Sequence, residues 1–327
     1  MKQTILLLTL TVFGLTSWKH KQTTEIRNDF KKYYDQFDVE GSFVLYDPQA
    51  DKYIFYNQEQ SEHTFSPAST YKICNSLIGL ETGVIKDENF VIPWDSVTRQ
   101  NPNWNSDHDL KTAFKNSTVW YYQELARRVG GQQMKYWLDK ANYGNADTSG
   151  GIDKFWLTGG LRISPKQQID FLKQFHDNQL PFSQRSLDIV KNIMIAKDTL
   201  GYTVRAKSGW GSQDNKEIGW YVGYFEKNDK VYYFSNCIQT ADLNNKDFAK
   251  ARIDIVYQIF DELKILNNIK DSSENILDEF LKHKNQELKN ELETNKILER
   301  LNGNKYLITG NNDNYLNDSN FNKDLFI

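Results

Sequence analysis

The sequence predicts an α+β domain: a sheet built from strands near both ends of the main body, with a helical region inserted between them. Three observations carry this. Aromatic and β-branched runs bounded by turn residues occur at 41–56 and again at 202–239. Between them, from Leu110 to Met194, apolar residues recur at helical spacing, as they do again from Phe248 to Leu263. After Leu266 the composition turns charged and asparagine-rich, which marks the end of the core.

Lys2 and the apolar run Ile5–Leu15 open the chain. The run is too short to span a bilayer and reads as an export signal over 1–18, with Thr16 or Ser17 before the cut, so the mature protein is expected to be exported and periplasmic. Ile26–Tyr34 reads as a short amphipathic helix. Gly41–Pro48 is a strand closed by an Asp-Pro turn, and Lys52–Tyr56 its hairpin partner. Pro67 opens a helix that runs on through the apolar stretch to Leu80. A polar, Trp- and Asn-rich segment covers 93–109, a helix Leu110–Val129, a break Gly130–Gly131 and a further helix Met134–Lys140. Asn142–Gly160 is loop, Ser164–Pro165 starts a helix through Phe175, and another spans Ser183–Met194. Strands follow at Tyr202–Lys207, Ile218–Phe225 and Val231–Gln239, the last two joined around Lys227-Asn228-Asp229. Residues 267–327 form an extension of separate character, roughly helical over Asp271–Leu301.

Composition narrows the function. A net charge of -3, from 40 basic and 43 acidic residues, gives no basic face for nucleic acid. The five histidines are scattered without a metal-ligand spacing, so no metal is expected. Cys74 and Cys237 both lie in apolar runs and read as buried free thiols, with a bridge between them left to geometry. Nothing in the pattern fixes an oligomeric state, and an oligomer is compatible with it.

The chemistry centres on Ser69 and Lys72, three residues apart at the start of an apolar helix and so on one face of it. A serine hydroxyl needs a neighbouring base, and a lysine sunk in apolar surroundings loses its charge and can serve as one. Ser-x-x-Lys arises by chance about once or twice in a chain of this size. Further clusters follow in order: Ser117-Thr118-Val119, Tyr143-Gly144-Asn145, Trp156 in Lys-Phe-Trp-Leu, Lys207-Ser208-Gly209-Trp210, and Arg252. Each alone has an ordinary explanation as helix interior, turn, core aromatic or solvated charge.

As an ordered set, with Trp104-Asn105, Trp120–Gln123 and Gly219–Gly223, they closely resemble the class D (oxacillinase-type) serine β-lactamases over 26–266. The resemblance implies a mostly antiparallel sheet flanked by helices plus a helical subdomain, the serine β-lactamase and penicillin-binding transpeptidase architecture. It implies β-lactam antibiotics as substrates and Ser69 as the nucleophile that forms an acyl-enzyme. Lys72 would be the N-carboxylated base, made reversibly from carbon dioxide or bicarbonate, with no other cofactor. Val119 and Trp156 would enclose that group, Ser117 would relay a proton to the leaving nitrogen, and Lys207 would supply positive charge. Ser208 and Arg252 would hold the substrate carboxylate, with Gly209 a further binding position, and the N–H groups of Ser69 and Trp210 would form the oxyanion hole. Ser208 stands where many relatives carry threonine, which keeps the hydroxyl. Two other classes share these motifs: penicillin-binding sensors, which acylate without turnover, and cell-wall D,D-peptidases. Val119, where peptidases usually carry a polar group, favours the lactamase.

Overall fold

The computed structural model describes residues 22–199 and 201–265; the export-signal and extension readings, at 1–18 and 267–327, lie outside them. Seven strands form one sheet in the order β1-β3-β2-β7-β6-β5-β4. They are β1 (Thr23–Ile26), β2 (Glu40–Asp47), β3 (Lys52–Tyr56), β4 (Ile195–Asp198), β5 (Thr203–Gln213), β6 (Lys216–Lys227) and β7 (Lys230–Thr240). Every pairing is antiparallel except β1 with β3. The early hairpin β2–β3 and the late meander β5–β7 meet where β2 pairs with β7, Val44 opposite Ser235.

Strand alternation gives the sheet two buried faces. Phe43, Phe225 and Phe234 point to one side and surround Phe260 on α9 (Phe248–Glu262). Their neighbours Val44, Val222, Tyr224 and Tyr233 point to the other and join the larger core beneath the inserted helices. Those helices are α3 (Lys72–Glu81), α4 (Leu110–Lys115), α5 (Val119–Val129), α6 (Gly131–Lys140), α7 (Pro165–His176) and α8 (Gln184–Ile193). Short helices α1 (Lys31–Asp35) and α2 (Gln58–Glu62) flank the first hairpin. Among the described residues no helix is long and apolar enough to cross a membrane.

Local chemistry sets the boundaries. Ser164 caps α7 with a capping box: its hydroxyl accepts from Gln167 N–H, and the Gln167 side chain accepts from Ser164 N–H. The β6–β7 turn, Asn228-Asp229, and the β5–β6 turn, Asp214-Asn215, hold both central residues at positive φ, as two-residue hairpins require.

Several expectations change. The helix expected at Ile26–Tyr34 is a strand ending at Ile26, a 3-10 turn at Asn28–Phe30 and then α1; the Thr-Thr-Glu-Ile run finds a free edge on β3. The helix expected over Leu110–Val129 breaks after Lys115. Ser117 adopts a left-handed conformation (φ 54°), with Thr118 N–H bonded to Ala113 O and Ser117 N–H to Phe114 O, the pattern that ends a helix. Ser117 and Thr118 therefore form a corner between α4 and α5 rather than helix interior. β5 extends well beyond the strand end expected at Lys207 and β6 begins before Ile218, so the two are joined by a two-residue turn. β4, exposed along its whole length, carries no alternation to announce it. Cys74 and Cys237 are both buried and free, the former on α3 and the latter on β7.

Candidate active site

Ser69 sits in a 3-10 turn, Ala68–Tyr71, that leads directly into α3 at Lys72. The expected helical face is thus shared across a junction, and the spacing still works: Lys72 Nζ and Ser69 Oγ lie 2.7 Å apart. Ser69 is 7% exposed and Lys72 wholly buried. No carboxylate pairs with Lys72 among the described residues; its Nζ lies 5.2 Å from the ring centre of Tyr122 on α5. Burial, aided by the charge of Lys207, holds the Lys72 pKa well below the ordinary lysine value. A neutral amine at hydrogen-bond distance can take the serine proton.

The turn is clamped from several sides. Ala68, left-handed at φ 47°, donates its N–H to Trp156 O at 3.0 Å, and Ser66 Oγ bonds the same carbonyl. Trp156 packs 5.4 Å from Tyr71, while its indole N–H is buried without a partner among the described residues. On the opposite side β5 runs alongside. A Cβ at Gly209 would lie 3.1 Å from Pro67 O and 3.2 Å from Thr70 Cγ2, so the close approach of strand and turn leaves little room for a side chain there.

β5 delivers the second group. Lys207 is nearly buried, donates to Ser208 O at 3.0 Å and lies 5.5 Å from the Phe114 ring centre. Burial and the neighbouring Arg252 pull its pKa down to about 7. Beyond Arg205 β5 pairs only with β6. Ala206 N–H bonds Met194 O on the side away from β6. By alternation the Trp210 N–H points to that same side, which is free at residue 210. Arg252, on α9, donates to Gly209 O at 2.8 Å and to Ala249 O at 3.0 Å, and its guanidinium lies 5.2 Å from the Trp210 ring centre. Gly219 makes room for it, since a Cβ there would come within 2.7 Å of the arginine stem. Arg252 forms no ion pair among the described residues, so it is a charge available to an incoming carboxylate.

Ser117 and Val119 bracket the corner between α4 and α5, and Val119 lies one turn from Tyr122 on the same helix face. Ser208 is partly exposed on β5. The structure thus brings Ser69 and Lys72 into direct contact, gathers Lys207, Ser208, Gly209, Trp210 and Arg252 beside them, and packs Trp156 against the turn. Sequence reading missed a role for Tyr122, whose ring faces Lys72 and whose hydroxyl meets Ser76 at 2.9 Å. It also gave none to Gln168, whose amide reaches Thr70. Neither has a spacing signal, because each arrives from a distant helix. Two surface hollows, one beside His176 and Glu226 and one beside Asn57 and His63, contain none of these residues.

Comparisons with known proteins agree with this geometry. Residues 41–261 match the penicillin binding protein transpeptidase domain. The chain is 39% identical to beta-lactamase OXA-48 of Klebsiella pneumoniae, over 72% of this chain and 87% of that protein. It is 43% identical to the class D beta-lactamase YbXI from Nostoc, whose crystal structure superposes with a TM-score of 0.69 over 72% of this chain and 98% of that one. A 37% identical match to the regulatory protein BlaR1 of Bacillus licheniformis spans 64% of this chain but 35% of that longer protein.

Proposed function

This chain belongs to the class D β-lactamases, within the penicillin-binding transpeptidase-domain family, and from that premise we propose that Ser69 is its nucleophile and Lys72, in carboxylated form, its general base. The activity is hydrolysis of β-lactam antibiotics, the reaction behind this family's resistance. The contact between Ser69 Oγ and the buried, charge-depleted Lys72 carries the assignment.

The residues fit a carboxylated lysine. A neutral buried amine can add carbon dioxide, and the unpartnered indole N–H of Trp156 is a donor in want of an acceptor. When present, the group supplies a carboxylate-strength base beside the serine. Trp156 and Val119 screen this region from water. Arg252 and the Ser208 hydroxyl anchor the substrate carboxylate, and Gly209 lets strand and turn close to the required distance. The Ser69 and Trp210 N–H groups receive the oxyanion as the serine attacks. Lys207, protonated below about pH 7, supplies positive charge, and Ser117 passes a proton to the ring nitrogen as it leaves. We further propose that the protein is exported to the periplasm, on the strength of its apolar N-terminal run.

Hydrolysis of a chromogenic β-lactam by purified protein, with and without bicarbonate, tests this reading. Sustained turnover that rises with bicarbonate is expected. A single burst stoichiometric with protein, then no further product, would assign the chain to the acylating sensors instead.

A further inference from the structure

Behind the nucleophile's turn, on the side facing α7, lies a buried polar cluster with no part in the chemistry above. We propose that Gln168, on α7, is a positioning residue for Ser69 that acts through the hydroxyl of Thr70; this rests on Ser69 being the nucleophile.

Gln168 and Thr70 are both wholly buried. Thr70 Oγ1 donates to Pro67 O at 2.8 Å, and Gln168 Nε2 donates to Thr70 Oγ1 at 2.9 Å. The direction of the chain is forced. Pro67 O can only accept, so the single hydroxyl proton of Thr70 is spent there, and Gln168 must offer its NH2 group. The two ends of this chain, Pro67 and Thr70, bracket Ser69, and Thr70 N–H closes onto the same Pro67 carbonyl at 3.1 Å. The amide of Gln168 thereby fixes the rotamer of the residue next to the nucleophile and the curvature of the turn that aims it.

The remaining polar atoms of the cluster support the same reading. Tyr143, also buried, packs its ring on Tyr71 and Phe171, and burial raises its pKa. Gln168 Oε1 and Tyr143 Oη have no hydrogen-bond partner among the described residues. With its NH2 committed to Thr70, Gln168 has an oxygen left to accept, and Tyr143 has a proton to give. One helix, α7, thus reaches the single hydroxyl next to Ser69, with the Tyr143 loop beside it. A purely apolar contact would fill the same space without fixing a direction.

The test uses the whole protein with two substitutions, Gln168→Met and Gln168→Glu. Each variant and the wild type are mixed with a fluorescent penicillin from pH 5 to 10. The Ser69 adduct is followed by rapid quench and mass spectrometry, and thermal unfolding is measured alongside. Gln168→Met keeps the length but cannot donate, so its acylation rate constant should fall about tenfold at every pH, with the substrate dissociation constant unchanged. Gln168→Glu, whose buried carboxyl is held protonated, donates as the amide did. Its rate relative to wild type should stay near one at acidic pH and drop toward that of Gln168→Met as the carboxyl ionises. A Gln168→Met protein that is folded and acylates at the wild-type rate, however much its melting temperature falls, overturns the proposal. If Gln168→Met does not fold, a Gln168→Glu ratio that does not change with pH overturns it equally. Failure of the wild type to carry an adduct on Ser69 would instead remove the nucleophile reading on which the proposal stands.

Discussion

The turn at 67–72 and the strand segment at 207–210 each bury a lysine within the same site, yet they prepare it for different work. Lys72 meets only a serine hydroxyl and an aromatic face, with a second cation in its neighbourhood, so its ammonium is strongly disfavoured. Lys207 keeps a carbonyl as hydrogen-bond partner and lies against a ring, and it settles at about 7. The first environment favours a neutral amine; the second leaves a cation that can be gained or lost near neutral pH. Burial is the larger cause in both and a neighbouring cation the second, Lys207 for Lys72 and Arg252 for Lys207; what differs is depth, since Lys72 is wholly buried and is displaced further.

The contrast breaks most severely if Lys72 is dispensable. Lys72→Ala should still allow slow acylation, but deacylation should fall by about a hundred- to ten-thousand-fold, seen as a burst without turnover. Full hydrolytic activity for this variant without added bicarbonate would sink the assignment of Lys72 as base.

Lys207→Arg sharpens the other half. Because the Lys207 pKa lies at about 7, the group is charged below that pH and neutral above it, so kcat/KM should decline on the alkaline side of neutrality. Arginine stays charged, and its substitution should move that limb upward by more than two pH units; an unmoved limb would show that another group titrates.

The smallest effect is expected where the two regions touch. Gly209→Ala places a methyl 3.1 Å from Pro67 O and 3.2 Å from the Trp220 Cβ, with little room to yield on either side. Overpacking of this kind costs about 1–3 kcal/mol, read as a lower melting temperature with a severalfold slower acylation. Wild-type behaviour in both measurements would mean that strand and turn are not closely coupled.

How far the site was legible depended on how its parts are spaced. Ser69 and Lys72, or Lys207 to Trp210, lie within one turn or one strand, where the backbone alone fixes their relation. Tyr122, within the Trp120–Gln123 cluster, and Gln168 reach the same place from helices 50 and 96 residues beyond Lys72, and no local spacing ties either one to it. The corner at Ser117 was read as helix because it lacks the glycine or proline that usually ends one; a serine held left-handed by two backbone hydrogen bonds leaves no such trace. The strand expected to end at Lys207 runs on to Gln213, and Gly209 and Gly211 let it pass close to the Ser69 turn.

The sequence by itself determined the class of fold, the pairing of Ser69 with Lys72, and the order of the motifs, because hydrophobic periodicity and short spacings are local properties of a chain. Tertiary structure alone decided which lysine is the more deeply buried, which N–H of β5 faces the free edge, and what holds the Ser69 turn from behind. Those depend on desolvation and on distances between segments far apart in sequence, and both come into being only when the sheet and the inserted helices close on one another.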